Sequence, residues 1–166
     1  MRKKICMLGA FAVGKTSLVS RYVRSIYQDT YLSTVGVKID KKTLTVDGQE
    51  IVLVLWDVAG EDEFFQIPTS YLRGTSGYLL VVDGTRRATL DQALDIHERT
   101  RRAVGEVPCL VLVNKVDLAA DWELSDKDLG GVSARGLDVL LTSAKTGALV
   151  DEAFATLARR SLGLKP

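Results

Sequence analysis

Gly9-Ala10-Phe11-Ala12-Val13-Gly14-Lys15-Thr16 fits the pattern G-x-x-x-x-G-K-[ST]. Three further segments follow it in order: Asp57-Val58-Ala59-Gly60, Asn114-Lys115-Val116-Asp117 and Ser143-Ala144-Lys145. A glycine-rich loop between a strand and a helix turns successive backbone N–H groups inward, and the helix N-terminus adds positive potential, so the first segment reads as a phosphate cradle. Ala12, Val13, Gly14, Lys15 and Thr16, with Ser17 just beyond, are its expected nucleotide-binding residues. Lys15 would reach the β- and γ-phosphates as a point charge, and the Thr16 hydroxyl would hold Mg²⁺.

The other segments suit the remaining parts of such a ligand. Asp57 closes an apolar run, where a carboxylate at a strand end suits Mg²⁺, often through water because that ion keeps part of its hydration shell. Gly60 has no Cβ, so its N–H can approach a γ-phosphate oxygen and swing away when that group leaves. Asp117 can accept from guanine N1–H and the exocyclic N2–H₂ together, a donor pair that adenine lacks. Lys115 can cover the base face with its aliphatic stem. Ser143-Ala144-Lys145 would bring a backbone N–H to guanine O6. D-x-x-G and S-A-K are weak patterns alone; they gain meaning in series with the cradle and N-K-x-D.

Positioning these residues takes alternating strands and helices. Apolar runs at Lys4–Leu8, Tyr78–Val82 and Cys109–Val113 predict buried strands, with a short one at Asp138–Leu141. Val37–Val46 and Ile51–Trp56 flank Asp47-Gly48, a strong signal for an antiparallel hairpin. Helical spacing covers Lys15–Arg24, Leu90–Val104 and Val150–Ser161. Ser125–Arg135 is a weaker helix because Gly130-Gly131 costs about 1 kcal/mol per glycine, and residues 26–36 read as a loop. The expectation is an α/β fold: one domain over residues 1–166, with about six mostly parallel strands, one antiparallel edge pair and helices on both faces.

The 166 residues suffice for one well-covered core. With 22 basic and 21 acidic residues, no nucleic-acid or membrane field is implied. Cys6 and Cys109 lie in apolar runs and read as reduced core thiols, which suits a cytoplasmic location. Met1-Arg2-Lys3-Lys4 before an apolar stretch has the outline of a secretion signal, but cleavage near Ala10-Phe11-Ala12 would destroy the phosphate loop. No apolar run approaches the roughly 20 residues that span a bilayer. The chain ends Leu162-Gly163-Leu164-Lys165-Pro166 without a cysteine for prenylation, so no direct membrane anchor is expected in it.

Trp56-Asp57-Val58-Ala59-Gly60-Glu61-Asp62-Glu63-Phe64 resembles the W-D-T-A-G-Q-E-R-F signature of the Rab branch of the Ras superfamily. Tyr71-Leu72-Arg73-Gly74 resembles its Y-Y-R-G, and Tyr31-Leu32-Ser33-Thr34-Val35-Gly36-Val37 its first switch segment. The resemblance spans essentially the whole chain. It implies a Ras-like P-loop fold and a GTP/GDP switch with GTPase chemistry. It also implies that Thr34 ligates Mg²⁺ and contacts the γ-phosphate, Tyr27 lies against the guanine edge, and Tyr31 closes over the phosphates. Lys15, Thr34, Gly60 and residue 61 would then carry catalysis. Effectors and regulators would engage residues 26–36 and 58–75, which change order with nucleotide state. The absent lipid acceptor would fit a prokaryotic Rab-like GTPase, a module of a larger protein, or a domain whose tail was removed.

Two residues depart from the family pattern. Glu61 stands where the family has a water-orienting glutamine; an ionised carboxylate accepts from water but cannot donate to a phosphate oxygen, and the polyanion beside it would tend to turn it outward. Its plain alternative is a solvent-facing side chain in a mobile loop. Phe11 replaces a small residue and would crowd an incoming arginine finger, shield the nucleotide, or simply pack on the second switch. Together they imply slow hydrolysis, with a nucleotide-stabilised, non-cycling binding module as the competing reading. An ATPase or nucleotide kinase is disfavoured by Asp117. His97 reads as a half-buried surface residue, Arg99, Arg101 and Arg102 as a solvated basic face, and Trp122 as loop packing.

Overall fold

The computed structural model describes residues 1–28 and 36–165. Six strands form one sheet: β1 (Arg2–Gly9), β2 (Val37–Val46), β3 (Gln49–Val58), β4 (Gly77–Asp83), β5 (Cys109–Asn114) and β6 (Asp138–Leu141). Their order is β2-β3-β1-β4-β5-β6. All neighbours run parallel except β2 and β3, which pair antiparallel from Val46↔Gln49 to Val37↔Val58. Asp47 and Gly48, with φ of 48° and 80°, make that hairpin's two-residue turn. A primed turn requires positive φ at both positions, and its twist matches the flanking strands.

Each central strand is apolar on both faces, and the alternation divides its side chains between two cores. Ile5, Met7, Leu53, Leu55, Leu79, Val81, Leu110 and Leu112 face α1 (Lys15–Arg24) and α5 (Val150–Ser161). Cys6, Leu8, Tyr78, Leu80, Val82, Val111 and Val113 face the other layer. That layer contains α2 (Thr69–Leu72), α3 (Ala88–Val104) and α4 (Asp126–Ala134). On the first face Tyr22 of α1 stacks on Phe154 of α5, with ring centroids 4.0 Å apart and planes within 4°.

The double-glycine segment is a helix after all. Ser125 accepts from the Asp128 N–H at 3.1 Å while the Asp128 carboxylate accepts from the Ser125 N–H at 2.9 Å. This reciprocal cap satisfies two orphan donors and offsets part of the Gly130-Gly131 cost. The short α2 and a 3₁₀ turn at Ala119–Asp121 had no periodic signal. Several strands extend one or two residues beyond their predicted ends, as apolar runs alone cannot mark where ladder bonds stop.

Candidate nucleotide site

Strand order reverses at β1: the chain next builds β2 and β3 on one side of it, then β4 on the other. Ligands in open α/β sheets bind outside the strand C-termini at such a point. Here β1 runs into the 9–16 loop and α1 begins at Lys15. Gly14, the α1 cap, has φ 103° and ψ 23°, and a Cβ there would lie 2.3 Å from Asn114 Nδ2. Glycine is therefore required both by conformation and by the approach of the N-K-x-D loop.

Asn114 ties three segments together. Its Nδ2 donates to the Val13 carbonyl at 3.1 Å, and its Oδ1 accepts from Thr142 Oγ1 at 3.2 Å and from the Ala144 N–H at 3.3 Å. Ser143 Oγ donates to Asp117 Oδ1 at 2.7 Å. Lys115 Nζ donates to the Ala12 carbonyl at 3.2 Å and to Asp83 Oδ2 at 2.8 Å. The N-K-x-D segment is thus bonded directly to the phosphate loop, and Ser143 and Ala144 join it through Asp117 and Asn114. Asn114 serves as a cross-brace within this network, and its neighbours Lys115 and Asp117 hold the rim.

Lys15 is buried, and its Nζ donates to the carbonyls of Ala10 at 2.9 Å and Gly9 at 3.4 Å. Burial pushes its pKa down to about 8, with the Asp57 charge acting the other way. Thr16 Oγ1 donates to Asp57 Oδ2 at 2.6 Å. Gly60 presses on the cradle, where a Cβ would lie 2.4 Å from Phe11 Cα and 2.7 Å from the Ala10 carbonyl oxygen. Residue 61 continues this seam: the Phe11 N–H donates to the Glu61 carbonyl at 3.0 Å and the Glu61 N–H to the Gly9 carbonyl at 3.2 Å. The D-x-x-G turn therefore continues into an extra parallel bridge between Glu61 and Ala10 of the phosphate loop.

The Glu61 side chain is neither free nor solvent-facing. Oε1 accepts from Arg99 Nη2 at 2.5 Å, while Oε2 accepts from Arg99 Nη1 at 2.9 Å and from the Ile67 N–H at 2.8 Å. This rules against the plain alternative of a solvent-facing Glu61 and corrects the expectation of a solvated Arg99. Arg101 pairs with Glu106, and Arg102 is exposed as expected. Phe11 does not pack away: its side chain is about half exposed, at 47%. His97 is buried, not a half-buried surface group; its Nδ1 meets the Tyr78 hydroxyl at 2.8 Å, and burial lowers its pKa. Trp122 does pack, lying over Gly84 in the loop after β4, where no Cβ would fit. Tyr31 and Thr34 lie outside the described residues, and Tyr27 precedes that gap, exposed at 36%.

Asp83 and Arg86 were missed from sequence. Asp83, buried at the end of β4, accepts from Lys115, from Thr85 and from Arg86 Nε at 3.0 Å. Burial alone would raise its carboxyl, but hydrogen bonds from Lys115, Thr85 and Arg86 outweigh that and hold it below the usual carboxylate range. Arg86 Nη2 in turn donates to the Phe11 carbonyl at 2.7 Å. The available signal was positional: a polar residue closing an apolar strand, as at Asp57 and Asn114.

A G-x-x-x-x-G-K-[ST] loop at the switch point, joined to N-K-x-D and S-A-K segments and to a D-x-x-G turn, is the arrangement of the small GTPase class. A Ras family model matches residues 4–162. The chain is 37% identical over 159 residues to Ras-related protein Rab-8B of Homo sapiens, covering 94% of this chain and 76% of that protein. It is 34% identical over 158 residues to Ras-related protein Rab-13 of Canis lupus familiaris, covering 94% and 78%. To Ras-related protein Rab-1 of Theileria parva it is 33% identical over 159 residues, covering 94% and 72%. The chain belongs to the Ras family and is a Rab-like small GTPase, a GTP-binding switch.

Proposed function

We propose that this GTPase binds Mg²⁺ with its nucleotide and hydrolyses GTP slowly, restrained at residues 11 and 61. The observation that carries the reading is the direct bonding of all four chemical segments into one network at the β1 switch point. Lys15 and the loop amides would neutralise and orient the β- and γ-phosphates, and the Gly60 N–H would hold the γ-phosphate. Asp117 and the segment 143–145 would select guanine. The Thr16 hydroxyl and Asp57 carboxylate, 2.6 Å apart beside the cradle, offer the hard oxygen donors that Mg²⁺ prefers. Thr34 would complete the set. Bound there, the ion would neutralise charge building on the phosphate oxygens.

Slow turnover is supported by a carboxylate at residue 61 whose hydrogen bonds go to Arg99 and Ile67, and by the exposed bulk of Phe11. The same Glu61 geometry favours the second reading, a binding module that holds nucleotide and hardly cycles. Residues 26–36 and 58–75 would meet effectors and regulators, in a cytoplasmic setting that suits the two free thiols. Single-turnover GTP hydrolysis compares wild type with Glu61→Gln and Phe11→Gly. Slow wild-type turnover raised by Glu61→Gln is expected, whereas brisk wild-type turnover reduced by both substitutions would reject the proposal. A tighter affinity for ADP than for GDP would reject the base assignment.

A further inference from the structure

Glu61 is held by both ends. Its backbone is paired with Phe11 and Gly9 of the phosphate loop, and its side chain is engaged by α3. The Arg99 guanidinium grips both carboxylate oxygens in a fork, at 2.5 and 2.9 Å, with the two side chains only 27% and 15% exposed. A bidentate, partly desolvated pair of this kind is stronger and more directional than a surface ion pair. The Ile67 N–H takes the remaining accessible lone pair of Oε2 at 2.8 Å. Arg99 also has a second anion, Asp95, one turn back at 3.2 Å, so it stays paired if Glu61 leaves.

The residue is nevertheless beside the cradle, its backbone bridged to Ala10 between the bonds to Gly9 and Phe11. The backbone of residue 61 is seated on the loop independently of its side chain, so release of the carboxylate need not break that seam. A released carboxylate can accept a hydrogen bond from water; one whose oxygens are filled by Arg99 and Ile67 cannot do so fully.

We propose that Arg99 is a positioning residue for hydrolysis: a latch on α3 that holds the Glu61 carboxylate away from the attacking water and so sets the slow rate of the switch. The inference rests on the hydrolysis reading above and adds its regulation. A partner or ligand that competes for Arg99 with an anion of its own would open the latch and accelerate turnover without supplying any group to the phosphates.

The test is single-turnover hydrolysis by the full chain preloaded with GTP in saturating Mg²⁺, with bound nucleotide measured before and after. Arg99→Ala is expected to raise the rate about tenfold, less than a fully positioned general base contributes because the carboxylate stands beside like charge. Arg99→Lys keeps a cation on α3 but lacks the fork, so its rate is expected to fall between wild type and Arg99→Ala. The double variant Arg99→Ala/Glu61→Ala should fall back to the Glu61→Ala rate, since the gain requires a released carboxylate. Arg99→Gln, also unable to form the ion pair, repeats the test should Arg99→Ala lose its nucleotide. An unchanged or slower Arg99→Ala and Arg99→Gln, or a gain that survives in the double variant, overturns the latch while wild-type GTP retention leaves the nucleotide reading standing. A wild type that retains no GTP overturns both.

Discussion

Gly14 carries two constraints on one atom position. Its φ of 103° is unfavourable for an L side chain, and a methyl there would strike Asn114 Nδ2 at 2.3 Å. Gly14→Ala must therefore either distort the cradle or break the brace between Asn114 and Val13. Holding an L residue in this conformation costs about 1–3 kcal/mol, which corresponds to GDP affinity weakened roughly 5- to 150-fold. Titration with a fluorescent GDP analogue measures it, and an affinity equal to wild type would contradict the packing. Asp83 is the complementary case, a buried acid that anchors Lys115 and Arg86, which reach the Ala12 and Phe11 carbonyls. It shapes the loop by holding the cations that hold the loop. Nothing in residue type distinguished it from an ordinary strand-ending aspartate.

Among the elements, α4 depends most on its first turn. It contains Gly130-Gly131, and within α4 itself only Val132 is fully buried. The Ser125–Asp128 cap is extended by Arg87, whose Nη2 donates to Asp128 Oδ1 at 2.8 Å. Hydrogen bonds from the Ser125 backbone, then from Arg87 and Ser125 side chains, lower the Asp128 pKa from 3.8 to about 2. A carboxyl depressed in the folded state stabilises it above the unfolded value and loses that contribution as pH falls from about 4 towards 2. Ser125→Ala should cost about 1 kcal/mol and speed amide exchange across 126–134. The difference between variant and wild type should shrink in the same acid window, as hydrogen exchange at pH 7 and pH 3 will measure. Equal exchange at pH 7 would show that packing, not the cap, maintains α4. By contrast α3 is held along its length by Leu90, Ala93 and Ile96, and so can present Arg99 from a fixed position.

For the whole molecule, the two faces of the sheet couple stability to the site. Phe154 is fully buried and stacked on Tyr22, joining α5 to the helix that begins at the cradle. Phe154→Ala should destabilise the unliganded protein by about 3–5 kcal/mol through lost burial and the cavity left behind. Because nucleotide binds only the folded state, GDP with Mg²⁺ at a hundredfold over its Kd should return about 2.7 kcal/mol of this. Denaturant melts with and without ligand measure both quantities. A variant that melts like wild type without ligand would show that the cluster repacks freely.

The sequence by itself determined the ligand class, the sheet and most element positions. Those rest on local rules: a loop that presents N–H groups to phosphate, apolar runs bounded by turns, and Asp47-Gly48 with the positive φ its turn demands. It also located α1, β6 and α5 at their observed bounds. Tertiary structure decided what the side chains at the departures do. Residues 61 and 99 are 38 positions apart, and no periodicity within the switch segment or within α3 could announce that their charges meet. The same holds for Arg86 on the Phe11 carbonyl and for His97 against Tyr78. Local pattern records which chemistry a segment can perform. Which long-range partner occupies a side chain is fixed only when strand order and helix packing bring distant residues together, and here that pairing is what restrains Glu61.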